Sequence, residues 1–212
     1  MPERMSDAVS AALAAMADPG DRWSGAERLA IAATARAAFA DRHRAPWMRE
    51  APPEGVVLTP EVAAIVRTLA ADLHLVDRDW AKEAIAVVGE VAYVELVALV
   101  SSLAIVDAFG EATGDEAPGL PAAPMPGDPV DDELPYDVGD IGAYVPMRTP
   151  WPDANVGRAL TLAPSGNGVY RALAMAMYHD GEFYDLAWNR TLSRPQTEVL
   201  ATAVSAAHEC FY

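Results

Sequence analysis

A chain of 212 residues can bury one generous core or two small ones without a disulfide staple, and its single cysteine, Cys210, excludes an internal disulfide framework and a cysteine-based zinc site. Against 15 basic residues stand 31 acidic ones, a formal net charge of −16 whose field repels phosphate and argues against nucleic acid and anionic lipid as partners. The opening MPERMSDAVSAALAAMADPGDRW lacks the pattern of a signal peptide, and the longest uncharged apolar run, Leu96 to Val106, falls short of the roughly 20 residues of a membrane helix. A cytoplasmic protein without a membrane span is the expectation.

Helical signals dominate the first half. The Ala-rich residues 6 to 17 predict one helix, and Ser24 followed by Glu27 has capping-box spacing at the head of a second, SGAERLAIAATARAAFADRHR, expected to stop before Pro46. Thr59-Pro60-Glu61 opens a third, with Thr59 as N-cap and Val62, Ile65, Val66, Leu69 and Leu73 at helical spacing. Asp77 or Asp79 starts the longest predicted element, a single helix over 79 to 110 closed by Gly110. Inside it Glu90 and Glu95 interrupt VVGEVAYVELVALVSSL. Being five apart they do not share a face, which argues against a paired-carboxylate or di-metal site. One is expected on a solvated edge and the other against an Arg or Tyr of a second helix, because a buried carboxylate is costly unless paired.

From Gly114 to Pro152 nine prolines break any helix and acidic residues cluster at DPVDDELPYDVGD. So long a loop is either a linker between helical halves or an arm laid across a neighbouring surface, and Tyr136, Tyr144, Val145, Met147 and Trp151 favour the arm. The organisation expected is thus an N-terminal helical half over 1–112, a Pro-rich acidic arm over 113–152 and a C-terminal helical half over 153–212. In that last part helices are predicted near 154 to 162, over 167 to 180 and from Ser193, with PSGNG at 164 to 168 read as a turn because it lacks the Lys and Ser/Thr of a phosphate loop.

The tail helix has an apolar stripe of Leu200, Val204, Ala207 and Phe211 and a polar one of Glu198, Thr202, Ser205, Glu209 and Tyr212. Cys210 falls nearer the apolar side. His43, His74, His179 and His208 show no metal-ligand spacing, so no metal and no cofactor are expected. Tyr178-His179-Asp180 reads either as a proton relay to the tail helix or as a helix end whose histidine favours the C-terminal dipole.

LSRPQTEVLATAVSAAHECFY resembles the core motif of the alkylhydroperoxidase D and carboxymuconolactone decarboxylase family: Leu-Ser/Thr-x-x-Gln/Arg-x-Glu, an Ala/Ser-rich helix, then Cys-x-x-Cys-x-x-x-His. The separation of Glu198 and Cys210 equals that of the family's glutamate and first cysteine. The resemblance implies an all-α bundle, assembly as a homo-oligomer (dimer, trimer or hexamer), and a peroxidase that reduces hydroperoxides through the cysteine pair, with a thiol reductant as partner. It assigns Glu198 to proton relay and Cys210 to the first cysteine. The second cysteine and the histidine would fall at positions 213 and 217, beyond Tyr212, so the dithiol chemistry is expected to need them. Aligning Glu27 on Glu198 also pairs Leu29 with Leu200 and Ala30, Ala32 and Ala35 with Ala201, Ala203 and Ala206, with Trp23-Ser24 standing for Leu192-Ser193. This suggests a duplicated helical unit whose first copy is degenerate, with Phe39 and Arg42 at the cysteine positions.

Each candidate also has a bland reading. Glu209 and the helix C-terminus would raise the Cys210 thiol pKa, so an inert buried cysteine stands beside a reactive one. Glu198 could serve only the helix dipole or water, and a straight helix holds it about 18 Å from Cys210. Two other functions stay open. A carboxymuconolactone decarboxylase-like enzyme would use a pocket hinted at by Arg171, Arg190 and Arg194; a non-catalytic assembly protein would have no pocket near Glu198.

Overall fold

A computed structural model describes residues 3–44, 48, 58–115, 118–130, 133–152, 155–178 and 191–207. Seven α-helices carry the described chain: α1 (Glu3–Ala15), α2 (Gly25–Ala40), α3 (Pro60–Ala71), α4 (Arg78–Val88), α5 (Glu90–Thr113), α6 (Pro164–Met177) and α7 (Arg194–Ala207). The strands β1 (Val138–Gly139) and β2 (Met147–Arg148) form a two-residue antiparallel ladder with Val138 opposite Arg148. The all-α expectation holds.

Local chemistry explains the starts of α2, α3 and α4. Ser24 and Glu27 make both halves of the capping box on α2, Thr59 accepts from Val62 N on α3, and Asp77 accepts from Trp80 N on α4. The single helix expected over 79 to 110 is instead two. Gly89 takes φ +86 and ψ 160, a conformation reserved for glycine, and ends α4 while its carbonyl accepts from Tyr93 N in the first turn of α5. Gly110 lies buried inside α5, and it is Gly114, left-handed at φ +73, that caps the helix.

α5 is apolar on all sides and forms the axis of the molecule, packing against α1, α2, α3, α4 and α6. By length and composition it could cross a membrane, yet 67% of its apolar window is buried among the other helices. Met16, Ile31, Val66, Leu96, Leu103 and Leu173 are sealed in one core that α6 shares with the N-terminal helices.

The Pro-rich segment lies on this helical body as an arm. Met125 N donates to Ala17 O at 2.8 Å, Val130 N to Gly20 O at 2.7 Å, and Arg36 reaches Pro118 O at 2.9 Å. Val145 and Met147 are buried, and the Arg148 guanidinium stacks on both Tyr136 and Trp151.

Two expectations after the arm need correction. In place of a helix over 154 to 162 there is a 3₁₀ turn, Asn155–Arg158, followed by turns. PSGNG is not a turn but the start of α6, whose cap arrives from far away in sequence: the Asp21 carboxylate accepts from Ser165 N at 3.1 Å and from Ser165 Oγ at 2.5 Å. Gly166 is needed there, because a Cβ would stand 2.7 Å from the Ala98 Cβ on α5.

Candidate functional site

At the head of α7 the motif residues organise one another. Ser193 N and Oγ both donate to Gln196 Oε1, at 2.8 and 3.0 Å, so the Ser-x-x-Gln spacing works as a helix cap. One turn further, Glu198 faces back along the helix. Arg194 Nε donates to Glu198 Oε1 at 3.2 Å, and the Tyr178 hydroxyl, at the end of α6, donates to Oε2 at 3.0 Å. Arg194 is buried, while Glu198 is 45% exposed, so the carboxylate is clamped from the protein side and open to solvent. Burial pushes the Tyr178 phenol up, and the hydrogen bond and charge of Glu198 push it further, so Tyr178 faces the carboxylate as a neutral donor.

Cys210, His208, His179, Asp180 and Arg190 lie outside the described residues. From Glu198 to Ala207 helix α7 is unbroken, nine residues that rise about 13 Å, so the carboxylate sits well back from the helix's far end. The apolar stripe predicted for this helix does not reach the core: Leu200 and Val204 are 55% and 59% exposed, and Val199 beside them 68%. α7 meets the body through its first turn, where Arg194 is the residue that is buried. Arg171 is exposed on α6, and Arg194 is buried and bonded to Glu198.

A second polar cluster is buried in the core. Glu95 has no exposed surface and Arg28 is 2% exposed; Arg28 Nη1 donates to Glu95 Oε1 at 2.5 Å and to Ser165 Oγ at 3.3 Å. Glu95 Oε2 accepts from Arg22 N at 2.6 Å and Trp23 N at 3.3 Å, and Arg28 Nη2 donates to Ala15 O at 3.0 Å. Burial pushes Glu95 above the usual carboxylate range, opposed by Arg28 and the Arg22 N–H, with the Asp21 charge adding to the rise. Glu90 is exposed, so the expected division of roles between the two glutamates is found, with an Arg of α2 as the partner. Every group that meets Glu95 is a donor, and Gly20 closes the cluster so tightly that a Cβ would overlap Glu95 Oε1. The cluster joins α2, α5, α6 and the 16–24 turn; it leaves no room for a substrate.

Among the described residues an open groove runs along 133 to 138 of the arm, and an apolar crevice lies among Ala35, Phe39, Ala70, Val100, Leu103, Ala104 and Asp107, too narrow for a small organic ligand. Neither is lined by Glu198. Among the described residues no group of three His, Cys, Asp or Glu side chains is placed to hold a metal ion. Set against known proteins, the chain matches no family model, no curated protein and no solved structure.

Proposed function

We propose that the chain is a peroxidase-type oxidoreductase of the alkylhydroperoxidase D-like kind, with Glu198 as its proton-relay carboxylate and Cys210 as one thiol of a reducing pair. The observation that carries this reading is the clamp on Glu198. In the stretch that bears the family-like motif, Ser193 and Gln196 form the helix cap while Arg194 and Tyr178 hold the carboxylate with its outer side to solvent. In the reaction proposed, a thiolate attacks the outer oxygen of the hydroperoxide and the O–O bond breaks. The departing alkoxide takes a proton and leaves as an alcohol, and the sulfenic acid condenses with the second thiol, releasing water and forming a disulfide. An external dithiol returns the pair to its reduced state. Glu198 would accept the thiol proton and hand it to the departing oxygen. The second thiol belongs at position 213 on this reading.

A repeat of one helical unit belongs to the same proposal, but the helix starts do not share its register. Both α2 and α7 begin with a serine bonded to a residue three positions on, Glu27 and Gln196. The caps set Glu27 opposite Gln196, two residues short of the alignment with Glu198. On the Glu27–Glu198 alignment, which the caps do not share, the cysteine positions hold a stacked pair, Arg42 lying 3.8 Å over the Phe39 ring.

A non-catalytic assembly protein is the second reading, and the exposed Val199, Leu200 and Val204 favour it. The experiment that separates the two is the intact mass of the product of the native gene, before and after alkylation, with and without hydrogen peroxide. Two alkylatable groups that vanish together on oxidation are expected. A single group indifferent to peroxide overturns the peroxidase in favour of the assembly protein.

A further inference from the structure

The Glu198 clamp has two arms of unequal kind. Arg194 lies four residues before Glu198 on α7, so their contact follows from helix geometry. Tyr178 comes from another element: it is the C-cap residue of α6, its backbone N–H still bonded to Ala174 O, and its hydroxyl reaches across to Glu198 Oε2 at 3.0 Å. We propose that Tyr178 is the positioning residue of the relay carboxylate, fixing Glu198 Oε2 from the inner side so that the proton Glu198 takes up enters at its solvent-facing lone pairs. This rests on the reading of Glu198 as a relay group.

Three features support the assignment. A phenol donates one proton and cannot exchange places with it as water does, so the carboxylate is held in one orientation. Tyr178 keeps that proton through the neutral range, because burial and the neighbouring carboxylate both disfavour phenolate. With Arg194 on Oε1 and Tyr178 on Oε2, each oxygen has one donor on the protein side and a lone pair left over. Tyr178 transfers no proton itself; it decides where Glu198 points. Among the described residues, the charged and titratable groups placed against Glu198 are Arg194 from α7 and Tyr178 from α6.

The test uses the full gene product and the variants Tyr178→Phe and Glu198→Gln, with two readouts. Phenolate absorbance against pH, taken as wild type minus Tyr178→Phe, isolates the Tyr178 ionisation, which is expected above the ordinary value. Glu198→Gln should lower its midpoint, because a neighbouring negative charge is gone. An unmoved midpoint overturns the contact. In steady-state peroxide reduction, Tyr178→Phe should lower kcat about tenfold with KM unchanged, and adding it to Glu198→Gln should cost nothing further, since the hydroxyl acts only through that carboxylate. A loss of kcat that recurs in full on the Glu198→Gln background overturns the positioning role. A wild-type protein inert to peroxide sinks the proposed function instead, and the titration then decides alone whether Tyr178 and Glu198 are coupled.

Discussion

Glu95 shows what a single buried charge asks of its surroundings. Three donors converge on it, Arg28 Nη1 and the backbone N–H groups of Arg22 and Trp23, so removing the charge alone strands a guanidinium in the core. Glu95→Gln should therefore destabilise the fold by about 3–5 kcal/mol, whereas replacing Arg28 and Glu95 together by Met and Leu should cost much less. Urea denaturation of Arg28→Met, Glu95→Leu and the double decides it; additive losses would mean that the pair is not coupled. Tyr93 carries the pH dependence. Burial first, and then the charge of Tyr144, pushes its phenol up to about 12, while an unfolded tyrosine ionises near 10. Between those values the unfolded chain has lost a proton that the folded chain keeps, so stability present below pH 10 drains away as pH rises toward about 12. Tyr136 and Tyr178 are shifted in the same direction. The urea midpoint should fall as pH rises from 10 to about 12, and Tyr93→Phe should flatten that fall.

The helices divide into those whose ends are written locally and those whose ends are not. Ser24 with Glu27, Thr59 with Pro60, and Asp77 carry their caps within three residues, and such starts can be read from sequence. α6 could not be read this way: two of its first five residues are glycines, and its cap, Asp21, is 144 residues away. The break at Gly89 was hidden because one glycine inside a helical pattern is ordinarily absorbed at a small cost. At the site, Glu198 was legible from the motif and the nature of Glu95's partner from the price of burying a carboxylate. That the partner is Arg28, or that Asp21 meets Ser165, exists only once α1, α2, α5 and α6 are packed together. Gly89 gives the test at this scale. Open space surrounds the point where a Cβ would stand, so Gly89→Ala probes the backbone alone. It should cost about 1–3 kcal/mol, since φ +86 with ψ 160 suits only glycine. A stabilised variant would mean that α4 and α5 straighten into one helix once the glycine is gone.

Over the whole molecule the balance lies between one apolar core and a surface rich in like charge. The core runs from Val9 to Leu173 through every helix but α7, and its ion pair is sealed from solvent, beyond the reach of mobile ions. The net charge of −16 resides chiefly on the outside, with exposed acidic residues along the arm, and these carboxylates repel one another in the folded state more than in an expanded chain. Attractive surface pairs such as Arg42–Glu111 at 3.1 Å and Lys82–Asp79 at 3.4 Å are too few and too exposed to offset that repulsion. Raising sodium chloride from about 10 mM to about 150 mM shortens the Debye length from roughly 30 to 8 Å and screens the repulsion first, because it acts over the longer distances. The thermal midpoint should therefore rise over this interval and flatten beyond it, with Glu95→Gln showing the same slope as wild type since that pair is buried. A midpoint that falls with salt would mean that exposed ion pairs outweigh self-repulsion. A slope altered by Glu95→Gln would mean that water and ions reach the Arg28 pair after all.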